Sequence, residues 1–452
     1  MARLSLMSTI AQKPPLEEVF SELRPPLDEQ EALLEADRCL SCGGPYEPAP
    51  CQVACPAEVD VPGFIAAIAD GDPARAASII FEQNLLGGTC ARVCPVEVLC
   101  QGACVITHEG RQPISIPLLQ RFATDYAYAN GVPLRKRARP NGHRVAVIGA
   151  GPAGLVCAGE LAARGYSVTV YDERAEVGGL VRYAIAPYRQ LSEPLPDEAR
   201  ALADLGVEIE LGVTIDGPAL RRLEQEAEAI FLGIGMGEDQ KVELPGSELD
   251  GVWESLPFIE RIKDGWPPKI GKRTIVIGGG NTAMDCAREA LKLGSEEVTI
   301  LYRRTEAEAP AFQHEIDEAR EDGVQFRFLA APLAFIGSWK VQAVRCQTME
   351  LGPPDDSGRR RPVPVEGDEF ELPANTVVKA IGQQPREAFL SLIEGLELKW
   401  GQPIVDPETG QTTNPKYFAG GDAINGGATV VEAVKHAKAA ARGIDAFLSG
   451  AK

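Results

Sequence analysis

Apolar positions follow two different rhythms along this chain, and the change falls near residue 140. Before it, they recur at helical spacing. PLDEQEALLEADRCL (26–40) sets Leu33, Leu34 and Leu40 among charges and predicts a helix. VPGFIAAIADGD (61–72) and PARAASIIFEQN (73–84) predict two short helices, the second opened by proline. LLGGTC (85–90) predicts a glycine turn, and IPLLQRFATDYAYANG (116–131) a further helix. The basic run PLRKRARPNGHR (133–144) predicts a connector, either solvated or touching an anionic cofactor. From residue 144 the pattern becomes strand, glycine turn, amphipathic helix, strand. It occurs as RVAVIGAGPAGLVCAGELAARGYSVTVYDE (144–173) and again as RTIVIGGGNTAMDCAREALKLGSEEVTILYRR (273–304). TTNPKYFAGGDAINGGATVVEAVKHAKAAARGIDAFL (412–448) predicts a strand, a glycine turn and a long helix. The fold class is therefore α/β: an N-terminal helical domain followed by two Rossmann-like nucleotide-binding domains.

Composition narrows the function classes. The 452 residues allow roughly three domains at about 150 residues each. A net charge of −20 and a pI near 4.8 argue against nucleic-acid binding, which needs a basic face. Hydrophobic content of 44% with 24% charged residues is that of a soluble globular protein. No apolar run is long enough to span a membrane. MARLSLMSTIAQKPPLEE holds no continuous apolar core of a secretory signal, so a cytoplasmic location is expected.

The cysteines carry the first chemistry. Eight of eleven lie between Cys39 and Cys104, whereas Cys157, Cys286 and Cys346 stand alone. The spacing is Cys39-x2-Cys42-x8-Cys51-x3-Cys55-Pro56, then Cys90-x3-Cys94-Pro95 and Cys100-x3-Cys104. A disulfide framework fits poorly with a long chain lacking an export signal. Zinc sites favour separated CxxC pairs or Cys/His mixtures, and no histidine is interleaved before His108. Cys-Pro endings and soft, anionic thiolate donors point instead to 4Fe–4S clusters. A non-catalytic interaction protein scaffolded by zinc is the alternative from another class.

The glycine turns carry the second chemistry. Gly149, Gly151, Ala153 and Gly154 sit in a turn that follows a strand and opens a helix, where the backbone can approach a pyrophosphate. Asp172 ends the next strand, placed for a ribose hydroxyl. In the second unit Gly278-Gly279-Gly280 leads into Asn281, Thr282 and Ala283, and the strand ends on Arg303 and Arg304 rather than on an acid. Arginine there suits a 2′-phosphate and so NADP over NAD, unless both are solvated surface residues. Glu306 close by could moderate that preference. In GGDAINGGATVVEA (420–433) an aspartate at a helix start suits FAD, or else marks a plain glycine turn.

Together RCLSC, APCQVACP, CARVCP, LCQGAC, IGAGPAG, IGGGNTAMDCA, LYRR and AGGDAINGGATVVEAV resemble the small subunit of bacterial glutamate synthase. They are similar also to the flavin half of dihydropyrimidine dehydrogenase and its separate NAD(P)H-oxidising subunit, and to the large subunit of bifurcating NADH-dependent ferredoxin:NADP oxidoreductase. The likeness runs from about residue 30 to 448. It implies a helical domain (1–140) with two 4Fe–4S clusters and an FAD domain (141–262 and 375–452) with an NAD(P) domain (263–374) inserted in it. By resemblance, Cys39, Cys42, Cys51 and Cys104 hold one cluster. Cys55, Cys94, Cys100 and Gln120 hold the other, and Cys90 is a non-ligand, where spacing alone would have preferred two all-cysteine sites. Val93, Asp172, Gly179, Leu180, Arg189, Gly421, Asp422 and Thr429 match flavin-contact positions. Gly280, Asn281, Thr282, Arg303, Arg304, Ala380, Ile381 and Gly382 match the nicotinamide-nucleotide site. The chain departs from the family in about four extra residues between Cys42 and Cys51, in Tyr183-Ala184-Ile185-Ala186-Pro187 for the common YGIP, in Asp172 for glutamate, and in Pro310 where some NADP-specific members are basic.

Hydride transfer to a flavin needs position and electrostatics rather than a protein nucleophile. Clusters accept single electrons, so flavin and clusters together convert pairs to singles. The expected function is an electron-input subunit carrying electrons from NAD(P)H to a larger catalytic subunit of glutamate synthase or dihydropyrimidine dehydrogenase type. The alternative is a stand-alone or bifurcating NAD(P)H:ferredoxin oxidoreductase. No CxxC follows the second glycine loop, so Cys157 and Cys286 read as buried helix thiols.

Overall fold

A computed structural model describes residues 16–44, 46–354 and 358–450. Residues 1–15 and 451–452 of the predicted domains, and Pro45 of the long Cys42–Cys51 loop, lie outside the described residues. The helical region contains Glu29–Ala36, Val61–Ala69, Pro73–Gln83, Gly87–Val93 and Ile116–Asn130. Carboxylates set several of the starts. Asp28 and Glu31 cap each other's backbone reciprocally, Asp60 accepts from the Gly63 N–H, and Asp72 from that of Arg75. Each such cap contributes about 1 kcal/mol.

One expectation shifts here. Within LLGGTC the turn is confined to Leu85 and Leu86, and Gly87 and Gly88 already open the helix Gly87–Val93. A Cβ on Gly87 would lie 2.6 Å from Ile80 Cγ2, and one on Gly88 2.8 Å from Pro194 Cγ, so glycine serves close packing here rather than chain reversal. The basic run 133–144 is largely exposed, as a solvated connector should be, but it is anchored at Arg135. Arg135 donates to the Phe81 carbonyl (2.9 Å) and pairs with the buried Glu160 (2.8 Å), strapping the helical region to the next domain.

Two five-stranded parallel sheets follow. The first runs, in spatial order, Tyr417–Ala419, Ala229–Leu232, Arg144–Ile148, Ser167–Asp172, Val207–Leu211. The C-terminal strand returns to its edge, with Tyr417 opposite Ile230. The second runs Val252–Glu254, Thr376–Lys379, Arg273–Ile277, Glu297–Tyr302, Gln325–Phe328. It thus takes in one strand on each side of the predicted span 263–374. Both are short, carry no glycine loop, and find each other only across the fold, Val377 opposite Val252. An antiparallel sheet of Ala330–Gly337, Val341–Pro354 and Arg360–Pro373, which the pattern did not announce, is attached to this unit.

One hydrophobic core joins the helical region to the first sheet and to the long helix Val430–Ser449. The second sheet has a core of its own, which also receives Phe20 and Tyr188. Among the described residues no helix is long and apolar enough to cross a membrane.

Candidate functional site

The first glycine loop is packed so tightly that side chains are excluded. A Cβ on Gly149 (φ +106°) would lie 2.3 Å from the Gly233 carbonyl, and one on Gly154 1.8 Å from that of Gly149. Gly151 caps the helix Pro152–Ala163. Two distant segments then close over it. Gly179 (φ +53°) brings Leu180 in, its missing Cβ 3.0 Å from Gly151 Cα. Gly421 (φ +70°) approaches Ala153, with 2.9 Å between Cβ positions. Sequence-predicted positions at 149–154, 179–180 and 421–422 are thereby one place. Helix N-termini directed into a cradle that a Cβ would fill are what a dinucleotide pyrophosphate requires.

Asp172 accepts from the Ala150 N–H (2.6 Å) and the Arg174 N–H (2.8 Å), holding the turn. A carboxylate has lone pairs to spare for a ribose hydroxyl. Asp422 accepts from the Ala428 N–H (3.1 Å), and burial raises its pKa. Thr429 caps the helix Val430–Ser449 in a reciprocal box with Glu432. Val93 ends its helix half-buried. Arg189 departs from expectation. Its guanidinium is spent on Asp285 (3.0 Å) and Glu315, carboxylates of the second unit, so it bolts the two units together.

The second loop is built differently. A Cβ on Gly278 (φ +147°) would meet the Ala380 carbonyl at 2.1 Å, and one on Gly279 would meet the Tyr302 ring at 2.6 Å. This places the turn Ala380-Ile381-Gly382 beside the glycines, where Ala380 N–H donates to Ile277 O (2.8 Å). Gly280 caps the helix Asn281–Lys292 with only Pro310 near it, at 3.8 Å. Asn281 accepts from the Phe312 N–H (3.0 Å), and Thr282 is half-buried. The predicted arginine pair separates. Arg303 is exposed, whereas Arg304 is buried and donates through Nε to the Arg360 carbonyl (2.8 Å). Glu306 is engaged by Arg320.

The thiols of the helical region form two neighbouring groups. Cys39, Cys42, Cys51 and Cys104 line one cavity, walled by Leu40, Val61, Ile65, Ile106, Ile114 and Ile116. Cys55, Cys90 and Cys100 all act on Cys94 and with it form the second group. Burial pushes Cys51 up to about 11 and Cys100 to about 12, and a hydrogen bond with Cys90 leads the rise at Cys94. Such thiols do not ionise in neutral solution alone, and ionise when a cationic metal core is bound. Among the described residues no three Cys, His, Asp or Glu side chains are gathered tightly enough for a single metal ion. Gln120 is buried and donates through Nε2 to the Gly87 carbonyl (2.7 Å), which leaves a ligand role to its side-chain oxygen. Cys90, a non-ligand by resemblance, lies inside the second group. Sequence reading missed Arg24, whose Nη1 donates to the carbonyls of Cys94 (2.9 Å) and Arg92 (3.2 Å) and clamps the loop of the second group. Nothing local marks that role.

Comparison with known proteins agrees with this arrangement. Residues 16–132 match the family described as dihydropyrimidine dehydrogenase domain II, 4Fe-4S cluster, and residues 143–437 match pyridine nucleotide-disulphide oxidoreductase. The glutamate synthase [NADPH] small chain of Halomonas elongata is 37% identical over 447 residues, 95% of this chain and 93% of that one. The Escherichia coli small chain is 35% identical over 444 residues, 94% of this chain and 93% of that one. The NADPH-Fe(3+) oxidoreductase subunit beta of Geobacter sulfurreducens is 36% identical over 435 residues, 89% of this chain and 64% of that protein. FprA of Mycobacterium tuberculosis shares the fold of the nucleotide-binding part, with a TM-score of 0.56 at 20% identity over 69% of this chain and 86% of that one. The cofactors are accordingly FAD, 4Fe–4S clusters and NADP or NAD, and the zinc-scaffold alternative falls away. The chain belongs to the glutamate synthase small-chain family, oxidoreductases that join a 4Fe–4S domain to a pyridine-nucleotide-dependent flavoprotein.

Proposed function

We propose that this protein is the NAD(P)H-oxidising input subunit of a larger oxidoreductase, delivering electrons singly to a partner catalytic subunit of glutamate synthase or dihydropyrimidine dehydrogenase type. The observation that carries it is the pair of four-thiol groups fused, through one hydrophobic core, to the sheet that bears the first glycine loop. When bound, FAD would supply hydride acceptance and the clusters one-electron transfer. The residues do the placing. Gly149–Gly154, Gly179–Leu180, Gly421–Asp422 and Thr429 hold FAD, with Asp172 on its ribose. Gly280, Asn281, Thr282, Arg303 and Ala380–Gly382 hold the nicotinamide nucleotide, with Arg303 facing the 2′-phosphate.

The ligand partition is Cys39, Cys42, Cys51 and Cys104 for one cluster, and Cys55, Cys94, Cys100 and Gln120 for the other. Anaerobic preparation of Cys42→Ser and Cys94→Ser tests it. Each variant is expected to lose one cluster signal by electron paramagnetic resonance and half of its iron, while flavin is kept. Loss of both signals, or of neither, would overturn the partition. Names among the relatives, such as NADPH-Fe(3+) oxidoreductase subunit beta and NADP(+)-dependent formate dehydrogenase subunit beta, keep partners of other kinds in view. Isolation of the native complex distinguishes them. Recovery of a large subunit supports the reading, and efficient turnover with ferredoxin alone supports the stand-alone alternative.

A further inference from the structure

Glu198, on the helix Leu195–Asp204 of the FAD unit, has no exposed surface. Its carboxylate reaches across to the helical region. Oε1 accepts from the Thr89 N–H (2.9 Å) and from the Tyr128 hydroxyl (3.3 Å), and Oε2 from the Thr89 hydroxyl (2.6 Å). Thr89 precedes Cys90 on the helix Gly87–Val93, which runs directly into Cys94. The charged and titratable groups facing Glu198 are Arg92 and Tyr128, with Asp125 behind them. Arg92 does not pair with Glu198. It is held by both oxygens of Asp125 (2.9 and 3.0 Å) and by the Gly88 carbonyl (3.0 Å). Among the described residues Glu198 has no ion pair of its own.

A buried carboxylate held mainly by hydroxyls can change protonation state without stranding a partner. The Thr89 and Tyr128 hydroxyls donate to the anion and, once rotated, accept from the acid. Gln190 Nε2 already donates to Thr89 Oγ1 (3.3 Å), and Tyr128 is half-buried. An electron added to a cluster held at Cys94, the C-cap of the helix that carries Thr89, places new negative charge on the element this network grips, in a medium of low dielectric. A like charge nearby disfavours an ionised carboxylate.

We infer that Glu198 is a redox-linked proton site: it takes one proton from solvent when the cluster held at Cys94 gains one electron, and returns it when that electron passes on. The electron comes from the reduced nicotinamide nucleotide, and no bond to Glu198 forms other than O–H. Burial supports this independently, pushing the carboxyl up to about 7 against the usual carboxylate range. The inference rests on the proposed assignment of Cys94 to a cluster.

Redox titration of the holoenzyme, followed by electron paramagnetic resonance between pH 6 and 8, tests it. One cluster's potential should fall with rising pH, approaching ~59 mV per unit where a tenfold change in proton concentration becomes a tenfold change in a one-electron equilibrium. In Glu198→Gln that slope should vanish while the other cluster is unchanged. A flat potential in the parent protein, or a slope that survives in E198Q, would overturn the inference. The unmodified holoenzyme gives a second readout should E198Q fail to fold. Its reduced-minus-oxidised infrared difference spectrum should contain a protonated-carboxyl band that shifts in D2O, and absence of that band is equally fatal. A wrong ligand assignment shows itself separately, as both clusters intact in Cys94→Ser.

Discussion

Around Gly151 the chain closes from two sides, with Gly179 and Gly421 both in van der Waals range of the loop. Around the helix start at Gly280 the chain closes from one side, through Pro310 and the Phe312 N–H donated to Asn281, and Arg303 beyond the adjoining strand stands in solvent. Both loops follow a parallel strand and open a helix of the same length, Pro152–Ala163 and Asn281–Lys292. What differs is enclosure, and enclosure decides residence. A ligand wrapped by three segments leaves only when they part, which suits a resident flavin. A ligand lying on an open helix start exchanges with solvent, which suits a nicotinamide nucleotide consumed at each turnover.

Substitution of one glycine in each loop puts the largest strain on this contrast. In Gly154→Ala the new methyl would sit 1.8 Å from the Gly149 carbonyl, so the loop must shift. Flavin content per chain should drop more than about tenfold, as backbone strain of 1–3 kcal/mol implies. In Gly280→Ala the methyl meets ordinary contact at 3.8 Å. Flavin absorbance should stay at one per chain, and only the Michaelis constant for the nucleotide should move. Equal flavin loss in both variants would show that enclosure does not distinguish the loops.

A smaller effect separates the two arginines. Arg303→Ala should raise the Michaelis constant for NADPH by about tenfold or more, the scale of one lost charge-assisted hydrogen bond, and leave that for NADH nearly unchanged. Arg304→Ala removes the strap to the Arg360 carbonyl and should weaken both nucleotides alike. Steady-state kinetics with the two nucleotides reads the difference directly. Discrimination that disappears with Arg304 and survives loss of Arg303 would reverse their roles.

These outcomes mark what the sequence could carry. The loops, the alternating helices and the thiol spacing were legible because each is a local pattern imposed by the backbone or by a ligand. Arg189 was not, because its partners Asp285 and Glu315 lie 96 and 126 positions away, and a flavin contact was the nearer reading. Arg303 and Arg304 looked equivalent because both lie just past the strand end at Tyr302, and only the distant Arg360 carbonyl tells which is covered. The second sheet reaches past the expected span 263–374 for the same reason: Val252–Glu254 and Thr376–Lys379 become a strand pair only in three dimensions. Glu198 and Lys263 gave no signal at all, since a single charged residue in a helix is ordinarily solvated.

Lys263 tests the seam between the two units. It ends the helix Ser255–Lys263, yet its ammonium donates to the carbonyls of Val181 (2.6 Å), Gln190 (2.8 Å) and Ile185 (3.0 Å) in the segment that follows Gly179. Arg182, Asp285 and Glu289 face it, and burial depresses its pKa to about 7. An unfolded lysine holds its proton to beyond pH 10. Between pH 7 and 10 the unfolded chain therefore binds more protons at this position than the native one, and the Lys263 contribution to stability rises with pH across that window. Below pH 7 both states are charged and the slope ends. Lys263→Met should remove this slope, so the unfolding free energy of the parent minus that of the variant, measured in urea at pH 7, 8.5 and 10, should increase steadily as pH rises. Subtraction cancels the cysteines and tyrosines that titrate in the same range. A difference constant with pH would mean that the ammonium is hydrated in the native protein, and that the seam beneath the flavin segment is wet and loose rather than closed like the loop above it.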